Sequence, residues 1–253
     1  MKLENVTVIG LGGIWSYFWP ILCRTMVYQK GMPRELVLWD GDEFTKDNMP
    51  RQDMFEEDEN KPKAEVYADR IKRAFPDLAV LPQSKFVTKK NIEDAIKDNM
   101  LSFLFVDNAA TKLLVSQQAA KRKNVILVHG GNEMWDGNVQ VYARFDGDDI
   151  TQKLEQTHPE IATPKDKNPG ELSCEERARL PGGGQLAVTN MMVAAWAATY
   201  VTQIMEDIPH GKEVMAQNLK AVGEVFFDAK KKSALAYNRG VSGFAKKKMV
   251  ARK

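Results

Sequence analysis

The sequence predicts an α/β fold with helices on both faces of a mostly parallel sheet. Three observations carry that expectation. Val6-Thr7-Val8-Ile9 is a short apolar strand that runs into Gly10-Leu11-Gly12-Gly13 and then a helix. Leu36-Val37-Leu38-Trp39 is a second apolar run and ends on Asp40. Leu101 to Val106 is a third and ends on Asp107-Asn108. Strands apolar on both faces belong inside a parallel sheet, and carboxylates at their C-terminal ends mark the edge where such sheets bind ligands. The expected architecture is Rossmann-like and doubly wound, with antiparallel C-terminal strands and a long crossover loop.

The remaining elements follow in order. Ile14 to Tyr28 continues the first helix, and Pro20 inside it should kink or break it. Lys61 to Phe75 has helical periodicity, with Ala64, Tyr67, Ala68, Ile71 and Phe75 on one face, and Pro76 stops it. Leu78 to Leu81 reads as a strand and Asn91 to Asn99 as a short helix. Ala109 to Arg122 is a helix and Val125 to His129 a strand. Asn138 to Phe145 alternates, as a half-exposed antiparallel strand does. From Asp146 to Gly184, four prolines, many charges and a glycine run suggest a long irregular crossover. Gln185 to Glu206 is an apolar helix. Gly223 to Asp228 and Ser233 to Tyr237 form a terminal hairpin, and a lysine-rich tail closes the chain. Residues 1–145 read as the nucleotide-binding half. Residues 146–253 read as crossover, apolar helix and hairpin of the same domain.

Composition narrows the function. The 253 residues carry 36 basic and 34 acidic side chains, so net charge makes no case for nucleic acid or an anionic membrane. Polar residues interrupt the apolar stretch Leu186 to Met205, so a buried helix is expected rather than a membrane span. Cys23 and Cys174 are too few for a disulfide framework or a four-cysteine zinc site. The chain opens directly on a strand with no signal peptide, and a reducing cytoplasm is the expected compartment. His129, His158 and His210 show no metal spacing.

The chemistry concentrates between Gly10 and Asn108. In Gly10-Leu11-Gly12-Gly13-Ile14-Trp15-Ser16, the first glycine permits a tight turn. The next glycines let backbone N–H groups approach a phosphate at a helix N-terminus. Asp40, at a strand end, is placed to bind a ribose. It falls about 30 residues after the first glycine, later than the ~20 of a compact NAD unit. Asp42, Asn48, Arg51, Gln52 and Lys63 follow with few apolar residues among them, a set suited to polyphosphate. Asp107 fits a Mg²⁺ site, since that ion takes one or two carboxylates plus phosphate oxygens. Asn108 suits a helix N-cap as well as a nucleotide contact. Taken singly, each of these charges reads as an ordinary surface residue.

The ordered set Gly10-x-Gly12-Gly13, Asp40-x-Asp42, Asn48-x-x-Arg51-Gln52, Lys63 and Asp107 resembles the ThiF/MoeB/ubiquitin-activating family. The resemblance implies an adenylyltransferase. ATP is attacked at its α-phosphate by a carboxylate, giving an acyl-adenylate and pyrophosphate. It implies that Gly10, Gly12 and Gly13 cradle phosphate, and that Asp40 and Asp42 lie at the nucleotide. It gives Asn48, Arg51, Gln52 and Lys63 to the triphosphate, Asp107 to Mg²⁺ and Asn108 to a nucleotide contact. It places Cys174 as a possible acyl acceptor, which Arg177 and Arg179 would activate; an unreactive packed cysteine is the alternative. The implied partners are a ubiquitin-like or sulfur-carrier protein or a small-molecule carboxylate, and a homodimer. Trp15 departs from the family glycine, an N-terminal arginine that some members carry is not found, and paired cysteine motifs for zinc are absent. Two rival readings are an NAD(P)-dependent oxidoreductase and a non-catalytic partner of a heterodimeric activating enzyme.

Overall fold

The computed structural model describes residues 2–172 and 185–241. Among them nine strands form one sheet: β1 (Asn5–Ile9), β2 (Glu35–Trp39), β3 (Ala79–Gln83), β4 (Met100–Leu104), β5 (Val125–Asn132), β6 (Asp136–Phe145), β7 (Asp148–Asp149), β8 (Glu224–Asp228) and β9 (Ser233–Tyr237). The spatial order is β3-β2-β1-β4-β5-β6-β8-β9, with β7 paired to β6. From β3 to β5 the pairing is parallel, and from β5 to β9 it is antiparallel. Chain order reverses between β1 and β4. That is the switch point where open α/β sheets leave a crevice at their strand C-termini.

Alternation builds both layers. Val6, Val8, Leu101, Phe103, Ile126 and Val128 point to one face, beneath α1 (Gly13–Tyr28) and α2 (Lys63–Ala74). Ile9, Leu104, Val125 and Leu127 point to the other, beneath α3 (Ile92–Ala95) and α4 (Ala109–Ala119). The C-terminal part adds α5 (Leu154–Thr157), α6 (Pro159–Ala162), α7 (Ala187–Asp207) and α8 (Lys212–Ala221). Helix α7 packs along α1, β5 and β6, burying Val193, Ala194, Ala197, Val201 and Ile204.

Several boundaries differ from the sequence reading, each for a physical reason. Helix α1 runs through Pro20 without breaking. Buried Trp15 and Phe18 before the proline, and Leu22, Cys23 and Met26 after it, hold both halves on the sheet. Helix α3 is one turn, not the expected Asn91 to Asn99. Strand β3 passes through Pro82, which an edge strand tolerates because one side has no ladder partner. The crossover is more ordered than expected up to Leu172, since it carries β7, α5 and α6, and Pro159 starts α6 at the position where proline costs no hydrogen bond.

Trp15 is fully buried in the first turn of α1. Its ring lies edge-on to Tyr67 of α2 at 5.9 Å and to Phe18 at 6.3 Å. It therefore fills the seam between the two helices and does not line the cleft. Trp15→Ala is expected to cost about 3–5 kcal/mol, as large aromatic truncations in cores do. Chemical denaturation should show a lower midpoint at unchanged slope; an unshifted midpoint would remove Trp15 from the core.

Candidate active site

The loops after β1, β2, β4 and β5 open into one cleft of about 870 Å³. Its base is the turn into α1. Gly10 sits at φ +93°, and a Cβ there would lie 2.8 Å from the Phe105 carbonyl carbon and oxygen, so only glycine fits. Gly13 is pressed against α7, where a Cβ would come within 2.1 Å of the Asn190 amide. No side chain caps the N-terminus of α1 at Gly12. Its first N–H groups, with the helix dipole behind them, make an anion site.

Asp40 ties this turn to the next loop. One carboxylate oxygen accepts the Leu11 N–H at 2.7 Å and the other accepts the Asp42 N–H at 2.8 Å. The loop from Gly41 to Pro62 is then closed on itself. The Phe44 N–H donates to the Lys61 carbonyl and the Lys63 N–H to the Asp42 carbonyl, each at 3.0 Å. Phe44 is buried against Tyr67. Arg70 of α2 holds the outer turn through ion pairs with Asp58 and Asp53, and the Trp19 indole N–H donates to Asp53 as well. These anchors fix the one-turn helix that carries Asn48. Asn48 Oδ1 accepts the Thr45 N–H, and Arg51 and Gln52 follow directly.

Gly10, Gly12, Gly13, Asp40 and Asp42 line this cleft, and so do Asn48, Arg51, Gln52 and Lys63. Asp107 and Asn108 line it from β4. Lys63 is buried in its first α2 turn, with Nζ 3.7 Å from Asp42. Lys61, outside the set, is exposed. Asn108 is an N-cap: its Oδ1 accepts the Thr111 N–H at 2.8 Å. Asp166 from the crossover accepts the Ala109 and Ala110 N–H groups at 2.7 and 2.9 Å. The N-terminus of α4 is thus satisfied within the chain, unlike that of α1. Cys23 is core, its thiol pushed up to about 12 by burial. Cys174 lies outside the described residues.

Burial pushes the Asp42 carboxyl up to about 6, and the Asp40 and Asp107 carboxylates add to this against the pull of Lys63. Carboxylates crowded this way suit a cation. Yet no group of three or more His, Cys, Asp or Glu among the described residues could hold a metal by itself.

The far end of the cleft was not legible in the sequence. Lys112 of α4, Gly131 of β5, Asn138 of β6 and His158 line it. The only sequence signal was strand parity. His129 and Gly131 share a face of β5, and Asn138 pairs with Gly131 across the ladder. Behind them, fully buried Glu224 accepts from Asn138 Nδ2 at 2.7 Å and from Arg239 Nε at 2.7 Å, and lies 2.7 Å from His158 Nε2. Burial works to raise the Glu224 carboxyl, but these contacts outweigh it and hold it below the ordinary carboxylate range.

A glycine turn at the switch point, an acidic strand end and a basic loop over the same cleft define a doubly wound α/β protein with a cleft suited to a phosphate-bearing ligand. The chain belongs to the ThiF family, whose model matches residues 2–236. Similar folds include E. coli MccB with MccA-N7isoASN (TM-score 0.69, 17% identity, covering 95% of this chain and 65% of that one). E. coli MccB with ATP is also similar (0.68, 17%, 95% and 65%), as is PaaA (0.67, 17%, 95% and 65%). The chain therefore spans about two thirds of the length of these neighbours. A comparison with curated protein sequences gives no match. No helix among the described residues is long and apolar enough to cross a membrane.

The Asp42 carboxyl carbon should titrate by NMR with a midpoint of about 6 in the ligand-free protein. Asp107→Asn removes one of the charges that raise it, so the midpoint should fall. A midpoint that does not move would separate the two carboxylates electrostatically.

Proposed function

We propose that the chain is an ATP-dependent adenylyltransferase that activates a carboxylate as its acyl-adenylate and releases pyrophosphate. One observation carries the reading: Asn48, Arg51, Gln52 and Lys63 enter the same cleft as the uncapped N-terminus of α1, with Asp107 also on its wall. An NAD(P) oxidoreductase has no use for that basic set. Family membership and a structural neighbour containing ATP support the nucleotide assignment.

In this reading Asp40 holds the ribose, and Trp39, Phe86 and Val87 provide an apolar wall for the base. The α1 N-terminus, Asn48, Arg51 and Lys63 hold the triphosphate. They stabilise the charge that grows as the carboxylate oxygen bonds to the α-phosphorus and the bond to pyrophosphate breaks. Asp107, with Asp42 nearby, would hold Mg²⁺, which neutralises phosphate charge when bound. The acceptor is a ubiquitin-like or sulfur-carrier protein or a small-molecule carboxylate. That the neighbour MccB was solved with MccA supports a carboxylate-bearing partner. An acyl-acceptor role for Cys174 rests on the family resemblance alone. A homodimer is proposed through α7, where Val188 and Met191 are about half exposed beside the partly buried Met192 and Trp196.

ATP–pyrophosphate exchange tests the reading. Exchange should require Mg²⁺ and a carboxylate. Arg51→Ala should lower it by ~100-fold or more, the usual cost of losing one electrostatic stabiliser. Asp107→Ala should abolish it while the protein stays folded. Calorimetry showing tight NAD binding and no ATP binding would sink the proposal. Light scattering that finds a monomer at micromolar concentration would remove the homodimer alone.

A further inference from the structure

The sheet has two outer edges, and they are built differently. Strand β3 carries Pro82, and a proline blunts an edge against further pairing. Strand β9, Ser233-Ala234-Leu235-Ala236-Tyr237, has no proline and no charged residue. All of its residues are exposed, Leu235 at 63%. Its inner side pairs with β8, and no strand among the described residues covers its outer side. Both ends are pinned. In the turn before it, the Lys231 N–H donates to the Asp228 carboxylate at 2.9 Å. Beyond it, the Arg239 carbonyl accepts the Gln152 N–H at 2.7 Å, and the Val241 N–H donates to the Ile150 carbonyl at 3.0 Å. The strand is therefore held extended, with alternate N–H and C=O groups turned outward. Soluble proteins usually protect such a row with charge, proline, a bulge or a covering element. An unprotected row on a preorganised strand is a template for one more strand.

Charge selects the occupant. Lys230, Lys231 and Lys232 form the turn before β9, and all are exposed. Lys231 is taken by Asp228 at 2.9 Å, whereas Lys230 and Lys232 have no ion pair among the described residues. The acids nearby, Asp136 and Asp228, lie on β6 and β8, inboard of β9. Arg239 follows the strand, its guanidinium against the Tyr237 ring and paired with buried Glu224. A second copy of the chain fits this edge poorly. Antiparallel pairing of two copies about Leu235 sets Lys231 opposite Arg239 of the other copy, and like charges directly opposite destabilise a ladder. We propose that the outer edge of β9 docks an extended segment of a partner protein, added antiparallel as a further strand, with acidic residues at the end that meets Lys230 and Lys232. Ladder hydrogen bonds give the affinity, and the lysines fix the direction. Ser233, Leu235 and Tyr237 share the face of Phe226, whose ring lies 5.5 Å from that of Tyr237. Apolar side chains at alternate positions of the added strand pack on that face. The edge lies outside the cleft, so docking there stands apart from adenylation.

Two blocked peptides test the edge in the full chain: acetyl-Thr-Val-Thr-Val-Thr-Asp-Asp-amide, and the same peptide ending in Lys-Lys-amide. The acidic peptide should slow exchange of the outward amides of 233–237 saturably. It should bind about tenfold more tightly than the basic one, a gap that added salt narrows. Reversing charge with Lys230→Glu and Lys232→Glu together alters only exposed side chains, so the protein should fold and its preference should invert. Ala234→Pro and Leu235→Pro remove neighbouring N–H groups, of which one faces β8 and the other the free edge. The variant that keeps the native amide spectrum should lose the acidic peptide. Equal binding of the two peptides, no slowed exchange, or a preference unchanged by charge reversal overturns the proposal. Exchange of those amides that is already slow without peptide, or that slows as the protein is concentrated, also overturns it, because the edge is then filled by this chain or by a second copy.

Discussion

The site depends on the Asp40 carboxylate. It sits at the end of β2, and its two oxygens take the main-chain N–H groups of Leu11 and Asp42. One side chain thereby sets the distance between the glycine turn and the loop of phosphate-seeking residues. Charge-assisted hydrogen bonds to backbone are among the stronger contacts a surface carboxylate makes. This joint adds a direct polar link between the glycine turn and the loop to the packing that already holds α1 against it. A family fingerprint assigns Asp40 to a ligand. The structure shows that it has architectural work as well.

Rigidity behind that joint comes from apolar packing and from one arginine. Trp15, Tyr67 and Phe44 form a buried aromatic chain from α1 through α2 to the loop. Arg70 lies over the Phe55 and Tyr67 rings while pairing with Asp53 and Asp58. The loop residues that would meet phosphate are therefore held by a well-packed frame. This also explains how the chain accommodates Trp15 in the first turn of α1, where the glycine-turn pattern it resembles ends on glycine. The ring turns toward α2, and the close approach at the helix start is met at Gly10 and Gly13.

The cleft has two chemically distinct ends. Near α1, burial foremost and then the neighbouring Asp40 and Asp107 carboxylates make Asp42 resist ionisation, with Lys63 beside it. That balance suits a polyanion arriving with a cation. Near β5 and β6 the polar groups have fixed directions instead, because Glu224 and the Leu104 carbonyl orient them from below. A charged end held by a rigid frame and an end of oriented polar groups make the two halves of the cleft chemically distinct.

The sequence by itself determined the layered α/β fold and the residues that line the α1 half of the cleft. Gly10 to Lys63 is nearly continuous, and Asp107 follows an unmistakable buried strand. Strand periodicity and local turn chemistry decide such features, so they can be read in a window of residues. Only the tertiary structure decided the rest. The Asn108 cap is local, its partner Thr111 three residues on, but Asp166 closing α4 was not, because its partners Ala109 and Ala110 are brought near only by the folded chain. Gly131, Lys112, His129, Asn138 and Glu224 span more than a hundred positions and share no motif. The antiparallel register of β5, β6 and β8 brings four of them together, and α4 lies over that face to add Lys112. Long-range pairing of this kind leaves no local trace, because each residue satisfies its own strand or helix pattern equally well wherever its neighbours lie.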